Sequence, residues 1–495
     1  MKKTKILTNP FCLLSIFCLI MNFLTFFSNI KLIVNILIIF TVAISAVTIY
    51  LKFLKKLNFQ ELIFIISLIS FLLRAIYIFY TPYYQRQHDS GLLSDDSGHL
   101  AYIQYFLYNN FSFPKFDPRT VWQFYHPPLH HFIAAIWMKL NLLLGMNLDS
   151  AAESIQVLTL FYSCSFTIIC YKIFNELCLS KISLIIPYLI CCFHPSLIIL
   201  SGSINNDILC LTLMLAAILY SIKWYKNPNT SNIIKIALFV GFSALTKLSG
   251  LLVAPAIAFL FLAKYIKSYK TKNNMLNQFL IFIIICFPLS MFKSIYNFVK
   301  FKMPLNYVPL LSSNIGQYIG NYPLHKRFLD FNLNQLKSVF IAFGKPYYEY
   351  NIFIALLKSS MFDEFNLSKI NQNITIPATI LFCINFLIVV ISLGCMAIFI
   401  TKKVSNISIN IKIFLLIFYA VIFLSYIKFC IDFPHTCTQD FRYIVPTFVI
   451  GAIAIGEVLE NRKNFKHYNL FISITVFLTV TFCILSSTVY ILLGL

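Results

Sequence analysis

The chain has 495 residues, of which 59% are hydrophobic and only 11% are charged, and its mean hydropathy is +0.80. Soluble domains carry roughly 25% charged residues, so this composition excludes an ordinary globular protein. The formal net charge of +22 would suit a nucleic-acid partner. The lysines, however, stand in short clusters beside apolar segments, a pattern of membrane topology and of contact with anionic membrane lipids.

Apolar segments of about 17 to 25 residues, the length of a membrane-spanning helix, recur along the whole sequence. They are continuous rather than alternating in polarity, which favours helices. The sequence therefore predicts an all-α polytopic membrane protein with about thirteen transmembrane helices. The predicted spans are 11–27, 31–53, 61–81, 152–172, 181–201, 206–224, 232–247, 250–266, 277–298, 376–400, 409–431, 441–459 and 468–493.

Two further features of the sequence are informative: its first apolar segment and its cysteines. The first apolar segment lacks a small-residue cleavage site and runs into another span, so we interpret it as a retained anchor. The 14 cysteines form no CxxC pair and no metal-ligand spacing. We therefore expect neither a disulfide framework nor zinc, and no cofactor.

The basic clusters all fall on one side of this topology, which the positive-inside rule makes cytoplasmic. The clusters are Lys2, Lys3 and Lys5; Lys52, Lys55 and Lys56; Lys172 and Lys181; Lys223 and Lys226; Lys264, Lys267, Lys270 and Lys272; Lys402 and Lys403; Arg462, Lys463 and Lys466. The count holds only if the apolar run 128–146 does not cross. Its apolar residues follow helical spacing away from His130, His131 and Lys139, which is typical of an interfacial helix over 129–140.

With this orientation, loops 82–151 and 301–375 and the link 431–443 lie on the outer side. Three aspartates in the first loop are candidate catalytic groups. Asp95 and Asp96 precede the predicted helix 99–107, and either could simply be its N-cap. Asp89 closely follows a span and lies three residues after Arg86. A carboxylate in that position could accept a proton from a hydroxyl while the cation holds a phosphate.

The same loop contains His126, His130 and His131, around the prolines at 127 and 128 that lead into a helix. These histidines admit three interpretations: metal ligands, hydrogen-bond donors to phosphate, or ordinary interfacial polar groups. His130 and His131 are adjacent and diverge on a helix, which disfavours a shared metal. Lys247 and Arg442 lie at predicted outer span ends, where an anionic phosphate, snorkelling and pairing with another charged residue of the chain are all reasonable explanations.

These features together resemble the GT-C membrane glycosyltransferases, and within them the protein O-mannosyltransferase and aminoarabinose transferase branch. The resemblance rests on the long outer loop after an arginine-bearing span and on the HisProProLeu motif at 126–129. It continues with Asn205-Asn206-Asp207 opening a span, ThrLysLeuSerGly at 246–250, and the exit from Asn297 to Pro304 into a large outer loop. It covers roughly residues 61–450. The family's first loop supplies a catalytic Asp, usually in an Asp-Glu pair, whereas Asp89 is followed by Ser90. The interval from Arg74 to Asp89 suits the family, so Asp89 is favoured over the pair Asp95-Asp96.

The resemblance implies three regions: a transmembrane hairpin at 1–60 added to the core, a GT-C-like catalytic core at 61–459, and a C-terminal helix at 460–495. It also implies inverting sugar transfer from a polyprenyl-phosphate donor to a lipid, glycan or protein acceptor at the outer face of the cytoplasmic membrane. The expected donor-phosphate ligands are Arg86, Lys247, Arg442, His126, His130 and His131, and the expected substrate-binding residues are His88, His99, Tyr125, Asn206 and Asp207. A transporter or flippase of lipid-linked sugars and a non-catalytic assembly factor are the alternatives. The first predicts internal repeats and charges near the bilayer midplane, whereas these charges gather at one rim. The second needs neither the acidic loop nor the rim cations.

Overall fold

The structure is a computed structural model that describes residues 9–27, 29–267, 272–342, 349–401, 407–461 and 467–495. The basic residues Lys2, Lys3, Lys5, Lys270, Lys402, Lys403, Lys463, Lys466 and Arg462, which support the predicted orientation, lie outside these ranges. The described part is built of helices, with an isolated antiparallel bridge between Tyr318 and His435. The expected all-α class is confirmed.

The helices alternate between long apolar ones and short ones in the outer loops. In chain order the α-helices are Pro10–Leu24, Ile30–Phe53, Phe59–Tyr80, His99–Tyr108, Leu129–Leu143, Leu148–Glu153, Ile155–Glu176, Lys181–Phe193, Pro195–Ser201, Asp207–Lys226, Thr230–Thr246, Ala254–Lys267, Lys272–Phe301, Leu324–Leu329, Ile352–Phe362, Thr375–Thr401, Ile409–Asp432, Pro446–Asn461 and Tyr468–Leu492. Several have an N-cap residue whose side chain accepts a hydrogen bond from a backbone amide of the first turn, such as Asn9, Asn229 and Ser408.

Among the described residues, nine helices are long and apolar enough to cross a membrane. They are Ile30–Phe53, Phe59–Tyr80, Leu148–Glu176, Asp207–Lys226, Leu248–Lys267, Asn273–Phe301, Gln372–Ile400, Ile409–Asp432 and Tyr468–Leu492. Lys181–Phe193 and Pro195–Ser201 form a tenth candidate that bends by 45° where Pro195 lacks an amide hydrogen. The remaining predicted spans correspond to helices of 15 to 17 residues: Pro10–Leu24, Thr230–Thr246 and Pro446–Asn461. The multi-pass class is confirmed, and the count of thirteen is not.

The chain divides into two compact units, which are described separately. The first comprises Met1–Val47, Arg74–Glu176 and Leu200–Val308. Within it the helix Ile155–Glu176 packs against Pro10–Leu24 and Asp207–Lys226. The two helices of the first outer loop, His99–Tyr108 and Leu129–Leu143, pack against each other around Tyr102, Phe106 and Met138, whose side chains are all 0% exposed. Burying each of these side chains stabilises the loop by roughly 1.5–3 kcal/mol.

We call these the first and second loop helices. The second loop helix turns His130, His131, Ala134, Met138 and Asn141 towards the interior of the first unit. Its opposite face leaves Ile136, Leu140 and Leu143 39%, 50% and 75% exposed. An exposed apolar face beside a packed polar one suits an interfacial helix. Its orientation on a membrane stays a prediction.

The second unit comprises Thr48–Leu73, Leu177–Ile199 and Pro309–Leu495. Its helices Thr375–Thr401, Pro446–Asn461 and Tyr468–Leu492 pack together, and Lys412 pairs with Glu457 inside it at 3.3 Å. The second outer loop is bonded to the link before Pro446. The Ile319 amide donates to the Pro434 carbonyl over 2.9 Å, and Gln439 Nε2 donates to the Glu349 carbonyl over 2.8 Å. The predicted division at residues 60 and 459 stays a prediction.

Candidate active site

The loop segment around Asp89 has an unusual backbone. Arg86 and Asp89 both have φ of 53°, in the left-handed region that costs non-glycine residues energy. The conformation is held by the start of the first loop helix: the His99 amide donates to the Asp89 carbonyl over 2.9 Å, and the Leu100 amide donates to the Ser90 carbonyl over 2.8 Å. Two of the helix's free N-terminal amides are thereby satisfied. The Asp89 side chain stays exposed.

Gly98 makes this arrangement possible. Its φ is +100°, and its amide donates to the Trp122 carbonyl over 3.1 Å. A Cβ at this position would lie 2.7 Å from the backbone carbonyl oxygen of Ser90 and 2.9 Å from that of Asp89. Both distances are shorter than Cβ atoms show in real structures. Only glycine therefore fits between the loop helix and the Asp89 segment.

Arg86 is half-buried beside the end of the helix Phe59–Tyr80. Its Nη2 donates to Thr81 Oγ1 over 2.6 Å, and its guanidinium carbon lies 5.6 Å from the centre of the Tyr80 ring. Its Nε has no hydrogen-bond partner among the described residues. The guanidinium group is thus oriented by the protein without being fully used by it.

Gln87 connects this segment to the turn before Asp207. Its Nε2 donates to the Gly202 carbonyl over 2.7 Å, and its Oε1 accepts from the Ile204 amide over 3.0 Å. The two residues on either side of Gln87 are the half-buried Arg86 and the buried His88, which is 3% exposed. Gln87 was not singled out from the sequence, because nothing local marks a glutamine that bonds a turn more than a hundred residues away.

Asp95 and Asp96 are exposed, and neither caps the first loop helix. The N-cap of the first loop helix is Gly98, with no side-chain cap bond. Asp95 Oδ2 instead accepts from the Leu92 amide over 2.7 Å, which closes a turn within the loop. The expectation that one of these aspartates caps the helix is wrong, because the carbonyls of Asp89 and Ser90 occupy the amides a cap would need.

Asp207 and Lys247 form an ion pair, with side chains 7% and 17% exposed. Asn205 Nδ2 also donates to Asp207 Oδ2 over 3.1 Å, and Asn206 Nδ2 donates to the Thr246 carbonyl over 2.9 Å. These bonds connect the start of the helix Asp207–Lys226 to the end of the helix Thr230–Thr246. The arrangement brings together Asn206, Asp207 and Lys247, three of the predicted site residues, in a mostly buried cluster.

The histidines of the loop form a stack of rings inside the first unit. His99 lies between His126 and His131, with ring centres 5.6 and 5.1 Å apart, and Tyr102 stacks beyond His131 at 4.4 Å. His99 Nδ1 and His131 Nε2 share a hydrogen bond of 2.8 Å. His130 points elsewhere and donates from Nε2 to the Ile204 carbonyl over 2.9 Å. We call His99, His126, His130 and His131 the histidine cluster.

Burial keeps the imidazoles of His99, His130 and His131 neutral. Desolvation lowers the pKa of His99 and His131 well below the usual value, and the neighbouring imidazoles lower it further. Desolvation lowers the pKa of His130 to about 4, although the Ile204 carbonyl and Asp207 act in the opposite direction. His130 and His131 are both 0% exposed. A phosphate has no access to them in this conformation, and neutral imidazoles would hold it only weakly.

The remaining predicted residues lie apart from the buried imidazoles. Tyr125 is half-buried, with its ring 4.4 Å from the His126 ring and 5.9 Å from that of Tyr307. Arg442 belongs to the second unit. There its amide donates to Asp440 Oδ1 over 2.7 Å, and its Nη2 donates to the Tyr443 hydroxyl over 3.0 Å.

Residues 125–292 match a family model described as dolichyl-phosphate-mannose-protein mannosyltransferase. The match begins inside the first outer loop and runs through the Asp207–Lys247 cluster. A comparison with curated proteins finds no match.

Solved structures give weaker likenesses. An Archaeoglobus fulgidus oligosaccharyltransferase, in a crystal structure with Zn and sulfate, is 12% identical with a TM-score of 0.48. That alignment covers 86% of this chain, which spans only 53% of the oligosaccharyltransferase. ArnT from Cupriavidus metallidurans in the apo state is 11% identical with a TM-score of 0.32, over 72% of this chain and 70% of ArnT. The resemblance to the GT-C membrane glycosyltransferases, expected from the sequence, is confirmed by the mannosyltransferase family model over residues 125–292.

Proposed function

We propose that this protein transfers a sugar from a polyprenyl-phosphate donor to an acceptor hydroxyl at the outer face of the cytoplasmic membrane, with inversion at the anomeric carbon. The observation that carries the proposal is the Asp89 segment. It combines an exposed carboxylate, a left-handed backbone pinned by two helix amides, and an oriented arginine three residues away. Strained backbone of this kind is common at active sites.

Asp89 is the general base in this proposal. It accepts the proton of the acceptor hydroxyl while that oxygen bonds to the anomeric carbon, and the bond from the anomeric carbon to the donor phosphate breaks. The phosphate leaves as an anion, so the reaction needs no general acid. A positioned base of this type is worth about 10²–10⁴ in rate.

Arg86 is the donor-phosphate ligand that the geometry favours. Arg86 is half-buried, and its bond from Nη2 to Thr81 Oγ1 leaves other guanidinium N–H groups that can donate to a phosphate oxygen. Lys247 differs because its ammonium pairs with Asp207. We propose that the main role of Lys247 is to position the turn at 205–207, and not to bind the phosphate. Arg442, in the second unit, is a separate phosphate-binding candidate.

The histidine cluster supports the loop in this account. His99 supplies an amide to the Asp89 carbonyl, and its ring is held by His126 and His131. Tyr125 is more accessible than the buried imidazoles and is proposed to contact the substrate. The outer-face location is supported by the distribution of lysines in the sequence.

The proposal is tested with membranes that contain either the wild-type chain or Asp89→Asn, incubated with a panel of radiolabelled polyprenyl-phosphate sugars. We expect at least one donor to give label transfer that depends on the wild-type chain and is lost in Asp89→Asn. Equal transfer by both membranes would contradict the assignment of Asp89. Movement of intact labelled lipid across the membrane, with no sugar transferred from any donor, would support the flippase alternative instead.

A further inference from the structure

A cavity of about 360 Å³ lies in the first unit, beside the start of the first outer loop. One wall comes from Leu24, Thr25, Phe27 and Ile30. The others come from the end of the helix Phe59–Tyr80, the residues that follow it, and the start of the span after the loop. Its lining residues include Phe27, Tyr83, Tyr84, Asp149, Glu153 and Gln156. None of them has a role in the proposed transfer reaction.

Two carboxylates converge on this cavity. Asp149 and Glu153 are four residues apart, and Tyr83 bonds to both: its hydroxyl donates to Asp149 Oδ1 over 3.3 Å, and its amide donates to Glu153 Oε2 over 3.0 Å. Neither carboxylate has a cationic partner among the described residues. This is notable in a chain with 17 acidic and 39 basic residues.

Gln156 gives an independent indication of a missing donor. Its side chain is 1% exposed, and its Nε2 donates to the Thr81 carbonyl over 2.8 Å and to Glu153 Oε1 over 3.3 Å. Its Oε1 is buried and has no hydrogen-bond partner among the described residues. A buried acceptor without a partner costs about 1–3 kcal/mol. A ligand that brings N–H donors into the cavity would remove that cost.

The other walls are apolar or aromatic. Leu24, Ile78, Phe79 and Val157 line the cavity, and Phe27 and Tyr84 are 51% and 50% exposed. The carboxylates repel an anionic group, so the phosphate of the sugar donor is excluded from this position. An ammonium group carries three donors and no acceptor, which matches the two carboxylates and the amide oxygen. The aromatic rings add further attraction for a cation.

We propose that this cavity binds a protonated primary amine attached to an apolar chain. Two sources carry this chemistry: the ethanolamine headgroup of a membrane phospholipid, and a free alkylamine. The proposal does not depend on the transfer activity, because the cavity and its carboxylates are separate from Asp89 and Arg86.

The test uses the purified full-length chain in detergent and native mass spectrometry to measure binding. The probes are phosphatidylethanolamine, its N-acetylated form, dodecylamine and dodecanol. We expect each amine to bind at least about tenfold more tightly than its counterpart without the ammonium group, the change expected from losing one charge-assisted hydrogen bond. Asp149→Asn and Glu153→Gln should each remove most of that preference. Asp432→Asn, at a carboxylate 42% exposed and paired with Lys428, is the matched control and should keep it.

The probes also separate the two sources. Preference for phosphatidylethanolamine over its N-acetylated form supports a lipid headgroup, and preference for dodecylamine over dodecanol without the lipid preference supports a free amine. Equal binding of the probes with and without an ammonium group by the wild-type chain overturns the proposal, as does full preference in both carboxylate variants. If Glu153→Gln does not fold, Asp149→Asn decides the question, because Asp149 is exposed.

Discussion

Two neighbouring parts of the first outer loop use polar residues in opposite ways. The segment 86–98 keeps Asp89, Asp95 and Asp96 exposed and places Arg86 and Asp89 on left-handed backbone. The histidine cluster, which begins at the next residue, buries His99, His130 and His131 and bonds their rings to each other or to a backbone carbonyl. The two parts meet where the His99 amide bonds to the Asp89 carbonyl.

This difference separates residues that could carry chemistry from residues that hold them in place. A general base must reach its substrate, and the Asp89 side chain is exposed. A buried neutral imidazole bonded to a second one is poorly suited to binding phosphate and well suited to fixing a loop. Changes in the exposed segment should therefore affect turnover or donor binding, and changes in the cluster should affect stability.

The largest combined effect is expected at the junction of the two parts. In Gly98→Ala the new Cβ would lie within 3 Å of the Ser90 and Asp89 carbonyl oxygens, so the Asp89 segment must move. We expect a loss of about 1–3 kcal/mol in the free energy of unfolding and nearly complete loss of transfer. The matched control is Gly145→Ala, where φ is +95° but nothing lies within 4 Å of the added Cβ. Equal transfer by the two variants would mean that the junction does not position Asp89.

Two cations of the first unit should respond differently to removal of charge. Arg86→Gln should weaken donor binding by about tenfold or more, the worth of one charge-assisted hydrogen bond. Its stability should change little, because the guanidinium group lies half-buried and incompletely bonded. Donor titrations followed by transfer rate would measure this change.

Lys247→Gln leaves Asp207 as a carboxylate 7% exposed without its ammonium partner. We expect a loss of up to about 3 kcal/mol in stability, with a smaller change in donor affinity than in Arg86→Gln. Thermal unfolding and donor titration of both variants would test the contrast. The reverse pattern would make Lys247 the phosphate ligand and Arg86 a structural residue.

The histidine cluster predicts sensitivity to acid. The pKa values of His99, His130 and His131 are lowered by burial, so below about pH 6.5 the unfolded chain binds protons that the folded chain does not. Stability should therefore be intact above that pH and should fall on acidification towards pH 4. The slope is at most about 1.4 kcal/mol per pH unit for each imidazole.

Thermal unfolding between pH 7.5 and pH 5 would measure this slope, and His131→Gln should reduce it. The exposed His325 provides the control, since His325→Gln should leave the slope unchanged. A Tm that does not depend on pH in the wild-type chain would contradict the account of a neutral buried cluster.

Much of the helical architecture follows from the length of apolar segments. The predicted span 409–431 and the helix Ile409–Asp432 nearly coincide, because hydropathy and helix geometry both act locally. The same local rules failed at the start of the first loop helix, where the course of the preceding backbone determines which residue caps the helix. Gly98, rather than Asp95 or Asp96, is the N-cap of the first loop helix. The first two amides of that helix, those of His99 and Leu100, donate to the carbonyls of Asp89 and Ser90 instead.

Long-range pairings were beyond the reach of the sequence. The divergence of His130 and His131 was expected from helix geometry, but the bond from His131 to His99, 32 residues away, was not. Asp207 and Lys247 were both singled out as candidates, yet their pairing depends on how two spans pack. One signal was available for the junction: glycine directly before a helix is the residue that adopts a positive φ without a steric cost.

In the proposed reaction Asp89 is the base, and Asp95 and Asp96 are not. Single-turnover transfer rates at saturating donor should be measured for Asp89→Asn, Asp95→Asn and Asp96→Asn, with donor affinity determined in parallel. We expect Asp89→Asn to fall by about 10²–10⁴ with nearly unchanged donor affinity, and the other two to stay close to wild type. Loss of transfer in Asp95→Asn or Asp96→Asn with an active Asp89→Asn would contradict the account.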